Sequence, residues 1–425
     1  MSGCWWYLRY GMVLWFLLLF LAPGTAVSIH VPQDAPTLQD AIYHAKPGDT
    51  VFVHGGLYRE RVIIDRSLEI VGVTQRTDGE SLSPPAMGIN TGLSVLKGKP
   101  PAYAVIASLN GTAIEIRADG VRITDLVLLS DDTCIAIGDH QNIRIQGSLF
   151  GECGTGILGV GGRNITMVGN RFEHSRTTGI HLRYTSGVTI QENQFEGGLS
   201  GIRGEDNRMW SMGENVFRDL TVAVSATSIS DSSFQRDQFD NCVSGYQFFS
   251  SRNNIIANST FHNLTQYLLL SDSLLNDVTI EQGNEAGLFS RDLSSRSQYF
   301  TEWFTLEGQN FAFALMPPEK MSGFRQFGEQ VRIVLLSEEG GGHVILESEV
   351  NLQQWEDIDP FSFGIYQMRE GEPVFTGTTY VSGSTIQTRA EIVEGGTYSL
   401  LAKKKTPFGL TIEGITLVFL VIAGL

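Results

Sequence analysis

The chain has 425 residues, 42% hydrophobic and 18% charged, with 47 glycines against 13 prolines, a balance that suits short strands and many turns around a large core. Its formal charge of −16 excludes the basic footprint of a nucleic-acid binder, and no such partner is expected. The same charge disfavours a polyanionic ligand unless a local basic patch or calcium intervenes.

Arg9 precedes the apolar run 12–21, and the small residues from Ala22 to Ala26 supply a cleavage site. Residues 1–26 therefore read as a secretory signal peptide, with an uncleaved membrane anchor as the other reading. Cys4 belongs to that segment. Cys134, Cys153 and Cys242 remain, an odd number without metal-ligand spacing, and are expected to be small buried hydrophobes rather than a disulfide framework.

Residues 28–73 predict a solenoid cap. A strand SIHV is followed by a helix opened by Pro36, with Leu38, Ala41, Ile42 and Ala45 on one face, and by the strands TVFVH and RVIIDRSLEIVGV. A polar insertion occupies 74–102, long enough to be functional or mobile.

A repeat then sets in. Ile114, Ile135, Ile157, Ile180, Ile202, Val224, Tyr246 and Leu268 follow one another at 21 to 23 residues. Leu128, Phe150, Phe172, Phe195, Phe217, Phe239 and Phe261 keep the same period, and Asn170, Asn193, Asn215 and Asp237 stand two residues before four of these phenylalanines. Inward apolar residues alternate with outward ones at period two. Three short strands per 22 residues predict one rung of a parallel β-helix, over 27–290, with regular rungs at 111–287. The leucine spacing of a horseshoe is absent, and a propeller blade needs about 40 residues.

The register fades after Gln282. Residues 297–402 read as seven longer alternating strands, among them YFTEWFTL, QVRIVLLS and TIQTRAEIV, and predict an immunoglobulin-like β-sandwich with Trp303 and Trp355 as core candidates. Such a module is expected to be a spacer or adhesive domain, with a carbohydrate-binding module as the alternative. Residues 408–425 form an apolar tail after Lys403, Lys404 and Lys405 and predict a membrane attachment. The segment TPFG at 406–409 resembles the sorting tails of archaeal surface proteins, without their Pro-Gly-Phe core.

The helical cap, the stretch GLYRERV (56–62) and the units TTGIHL and LSGIRG together resemble the right-handed parallel β-helix superfamily. That superfamily holds pectate lyases, pectinesterases and NosD-type proteins with carbohydrate-binding/sugar-hydrolase repeats; the NosD-like, archaeal-surface-type members are most similar. The resemblance spans about 28–290 and implies a mainly β, single-stranded right-handed β-helix, but no single activity. Asp131-Asp132 resembles the paired carboxylates of polygalacturonases, without their companion motifs. The pectinesterase and epimerase signatures are absent as well.

Residues one and three after each marker isoleucine should face solvent. His181, Arg183, Arg203 and Glu205 then share one patch on neighbouring rungs, with Tyr184 and Asp206 at the strand ends, and are the candidate glycan-binding residues. No catalytic residue is assigned. Asp139, Glu205 and Asp206 are the candidate calcium ligands, and no cofactor is expected. Asn110, Asn164, Asn258 and Asn263 open glycosylation sequons. The expected function is that of an exported, membrane-attached surface protein that binds a polysaccharide or surface glycan. A polysaccharide lyase, hydrolase or epimerase acting on 181–206, and a periplasmic accessory protein for copper-site assembly, are the alternatives.

Overall fold

The computed structural model describes residues 26–74, 102–109, 111–279, 289–293, 296–336, 342–351, 355, 357–382 and 384–405. The signal segment, most of the insertion, Asn110 and the apolar tail lie outside these. Among the described residues no helix is long and apolar enough to cross a membrane.

The chain is a right-handed parallel β-helix followed by antiparallel sheets in a sandwich-like arrangement. Helix Leu38–His44 caps the first turn, with the Thr37 hydroxyl accepting from the Asp40 N–H and Leu38, Ala41 and Ile42 buried. Each full rung then contributes to three ladders, two of which share one continuous strand in Arg171–Arg183, Gln194–Glu205 and Val216–Thr227. One ladder aligns Ile114, Ile135, Ile157, Ile180, Ile202, Val224, Tyr246 and Leu268 residue on residue. A second aligns Leu128, Phe150, Phe172, Phe195, Phe217, Phe239 and Phe261. A third runs through Ile123, Ile145, Met167, Ile190, Met212, Phe234 and Ile256.

In-register stacking turns a repeated residue into a column. The six phenylalanines stack with centroids 4.5 to 5.0 Å apart. The glycine before the marker isoleucine makes room for them: a Cβ on Gly156, Gly179 or Gly201 would lie 2.7 to 2.8 Å from a carbon of the next rung's ring. The asparagines form a buried amide ladder. Asn193 Oδ1 accepts from the Asn170 N–H and Nδ2, Asn215 Oδ1 accepts from Asn193 in the same way, and Asp237 Oδ1 accepts from Asn215. Each asparagine also donates to a carbonyl of the preceding rung, so the ladder leaves no amide group unpaired.

Three expectations need correction. Cys134 and Cys153 form a disulfide, with Cα atoms 5.9 Å apart. Cys153 stands three residues past Phe150, and Cys134 one before Ile135, so a separation of 19 places them diagonally across a corner of adjacent rungs. Cys242 occupies the Cys153 slot, but the residue 19 earlier is Ala223, and Cys242 stays a buried free thiol. The segment YFTEWFTL is not one strand. Arg296–Phe300 still pairs in parallel with the solenoid, the chain turns at 301–304, and Thr305–Gln309 begins the antiparallel pairing. Phe289–Leu293 likewise pairs in parallel with Gln266–Ser271 on one side and antiparallel with Phe311–Met316 on the other. Both solenoid sheets thus run on into the C-terminal part, and one apolar core extends from Val31 to Ala402. Trp303 and Trp355 pack against that core half-buried, not inside it.

Candidate functional site

The outward face of the isoleucine ladder carries the densest interlocked charge. His181 is opposite Arg203, and Arg183 opposite Glu205, because Ile180 and Ile202 share an inward slot. Gly204 sits between Arg203 and Glu205 and gives its inward space to Trp210, whose indole N–H donates to the Thr185 hydroxyl at 3.2 Å. The backbone under the patch is therefore anchored in the core.

Glu205 is the hub. Its Oε1 lies 2.8 Å from Arg203 Nη2 and 3.4 Å from His181 Nε2, and its Oε2 lies 2.9 Å from Arg183 Nε. Burial raises the Glu205 carboxyl, but the charges of Arg203, His181 and Arg183 outweigh it and hold the group below the usual carboxylate range. Burial pushes the His181 imidazole down; Glu205 opposes this, while Arg203 and Arg183 reinforce it. At neutral pH the patch is one carboxylate, two guanidinium groups and a neutral imidazole. Arg203 keeps 55% of its side chain exposed and Arg183 43%, against 21% for Glu205. The face thus offers N–H donors outward and hides its acceptor.

At the strand ends Tyr184 and Asp206 adopt left-handed turns, with φ of 56° and 54°. The Arg183 guanidinium stands 5.6 Å from the Tyr184 ring centroid. Tyr184 and Asp206 line an open cleft that crosses successive rungs, shared with Arg163, Ser186, Arg208 and Ser230. Sequence reasoning missed Arg163 and Arg208. They stand in one column, Arg163, Ser186, Arg208, Ser230, Arg252, with a guanidinium on every second rung, roughly 10 Å apart. That third ladder has no fixed sequence marker at its outer corner, but counting back 22 residues from Arg252 to Ser230 and Arg208 would have exposed it. Arg163, Arg183, Arg203 and Arg208 gather here with Glu205 and Asp206, while Asp139 stands beside Gly161 and Asp231 beside Arg208.

The calcium candidates are not gathered. Asp139 is three rungs from Asp206, roughly 14 Å along the axis, and Glu205 is engaged by its cations. Among the described residues no three His, Cys, Asp or Glu side chains converge as metal ligands. Asp131 and Asp132 lie at another corner, where the Asp131 carboxylate accepts from the Gly111 N–H and Arg176 donates to the Asp131 carbonyl. Asn164, Asn258 and Asn263 are exposed at left-handed turn positions, with φ of 50° to 57°.

No curated protein matches the chain. Among solved structures, the DFA-IIIase from Arthrobacter chlorophenolicus A6 without its lid, in complex with GF2, is 13% identical over 65% of this chain and 94% of its own, with a TM-score of 0.46. The alginate lyase from Paenibacillus sp. str. FPU-7 is 12% identical over 65% and 95%, with a TM-score of 0.36. Residues 112–233 match the family model for the right handed beta helix region, within the rungs whose register is described above.

Proposed function

We propose that the outer face around His181, Arg183, Arg203 and Glu205 binds a glycan that carries carboxylate groups, laid along the solenoid axis towards Arg163 and Arg208. One observation carries this reading: two half-exposed guanidinium groups, oriented by one shielded carboxylate, on a strongly acidic chain. Guanidinium forks match carboxylate oxygens two at a time. Binding without bond cleavage fits best, because Glu205 is held ionised by its neighbours and a general acid needs a raised pKa. The protein acts outside the cytoplasm in this reading, attached to a membrane through its apolar tail. The Cys134–Cys153 disulfide supports an oxidising compartment.

A glycan array probed with wild type and Arg203→Ala tests the site, followed by a product assay on every hit. The expected result is retention of acidic glycans by wild type, loss in the variant, and no product. Equal binding by both proteins contradicts the reading, and a product with a new reducing end or an unsaturated uronate favours the hydrolase or lyase alternative. Fractionation of expressing cells tests export: recovery from the cytosol with Met1 intact contradicts it.

A further inference from the structure

Where the last rung turns into the antiparallel sheets, a cavity of about 490 Å³ opens beside the turn at 301–304. Its floor is the outer face of one sheet, and strand pairing fixes its rows. Thr305 is opposite Glu347 and Glu347 opposite Arg389; Glu349 is opposite Gln387 and Gln387 opposite Tyr380. The floor side chains are already oriented. Arg389 Nη1 lies 2.6 Å from Glu347 Oε1, and Gln387 Nε2 donates to Glu349 Oε2 at 2.9 Å.

The aromatic residues Tyr380 and Trp303 border it. Tyr380 stands 63% exposed on the edge strand Thr378–Ser382. Trp303 is seated on the opposite side. The Thr301 hydroxyl accepts from the Trp303 and Phe304 N–H groups at 3.2 and 2.8 Å. The indole lies 5.8 Å from the Phe327 ring and directly over Gly328, where a Cβ would fall 2.1 Å from its Cδ1. Strand Phe324–Leu335 shifts register between Phe327 and Val331 around this contact. Gly328 thus leaves room for the indole, which packs on the core side of the turn.

The chemistry differs from that of the solenoid patch. Glu302, Glu347 and Glu349 outnumber Arg389, so a carboxylated or phosphorylated ligand is repelled. The exposed Tyr380 ring, beside carboxylates and an amide, suits a neutral molecule with apolar ring faces and many hydroxyls. We propose that this cavity is a second carbohydrate site, for a neutral saccharide, with Tyr380 as the stacking surface and the Glu349–Gln387 and Glu347–Arg389 pairs as hydroxyl partners. It does not depend on the solenoid patch.

The test is calorimetric titration of the full chain with cellohexaose, xylohexaose, mannohexaose and maltohexaose, repeated on Tyr380→Ala, Tyr380→Phe and Arg203→Ala. At least one neutral hexasaccharide should bind. Tyr380→Ala should weaken it roughly tenfold, Tyr380→Phe should restore most of the loss, and Arg203→Ala should leave it unchanged. Failure of all four sugars to bind overturns the proposal, as does equal affinity in Tyr380→Ala. Loss of binding in Arg203→Ala assigns the sugar to the solenoid and overturns it as well.

Discussion

The solenoid and the C-terminal sheets share one core but are specified in different ways. In the solenoid each residue sits on its counterpart one rung away, so one decision is repeated: a phenylalanine stack, an amide ladder, a glycine that clears each ring. In the C-terminal sheets the partners are set by hairpins, such as the turn at Glu370 and Gly371, both at positive φ, that pairs Gly364–Arg369 with Glu372–Phe375. Chemically, the solenoid offers guanidinium donors and the sandwich a cavity with carboxylates and an exposed tyrosine ring. A parallel column can concentrate one charge along an axis, whereas an antiparallel face mixes residues from distant parts of the chain.

The largest effect should come from breaking a column. Phe195 is buried between Phe172 and Phe217, at 4.8 and 4.9 Å. Phe195→Asp places an unpaired carboxylate in the stack and should cost more than about 5 kcal/mol, enough to abolish the cooperative transition in urea. A folded variant of wild-type stability would mean that the register is wrong. Tyr380→Asp, on the exposed sandwich edge, should shift the same transition by less than about 1 kcal/mol.

Next comes the corner staple. Cys134→Ser should lower stability by about 3 kcal/mol, since the disulfide closes a separation of 19 residues. The repeat makes a converse prediction. Ala223→Cys should pair with Cys242 and raise stability, because Ala223 and Cys242 occupy the diagonal slots of Cys134 and Cys153 four rungs further along. Free-thiol counting of the oxidised variant checks it: one titratable thiol in wild type outside the signal segment, none in the variant.

Asp237 is where the amide ladder departs from its own pattern. Burial raises its carboxyl from 3.8 to about 6, against opposing hydrogen bonds from Tyr246 and Asn215. The folded state therefore holds its proton longer than the unfolded state. The native state binds more protons between about pH 4 and 6, so stability falls as pH rises through that window, by about 3 kcal/mol in all. Asp237→Asn should remove this slope and stabilise the protein at pH 7, with Nδ2 in the place of Oδ2 donating to the Tyr246 hydroxyl, which turns its own proton to Ser259 Oγ. Chemical denaturation from pH 4 to 8 measures it; parallel curves for the two proteins would contradict the ladder account.

The smallest stability effect belongs to the patch. Arg203→Ala should change stability by only about 0–1 kcal/mol, because its ion pair is more than half exposed on the arginine side.

The solenoid was legible because its period repeats and its inward residues are apolar. The placement of His181, Arg183, Arg203 and Glu205 follows from Ile180 and Ile202 alone. The disulfide was not legible, because 19 is a diagonal between rungs and no column marks it. The break at 301–304 was hidden because Phe300, Phe304 and Leu306 keep period two; the buried residues are Tyr299, then Phe304 and Leu306, and the parity switches at a turn set by the Thr301 hydroxyl and backbone. Arg163 and Arg208 escaped notice because a corner carries no hydrophobic period.

The most direct test of the central claim is titration of a linear hexagalacturonate into wild type, Arg203→Ala and Arg208→Ala, at two salt concentrations. Wild type should bind, more weakly at higher salt, and each variant should lose affinity, with Arg203→Ala the more affected and both still folded. Undiminished binding in both folded variants, or a wild type that does not bind the acidic oligosaccharide, would contradict it.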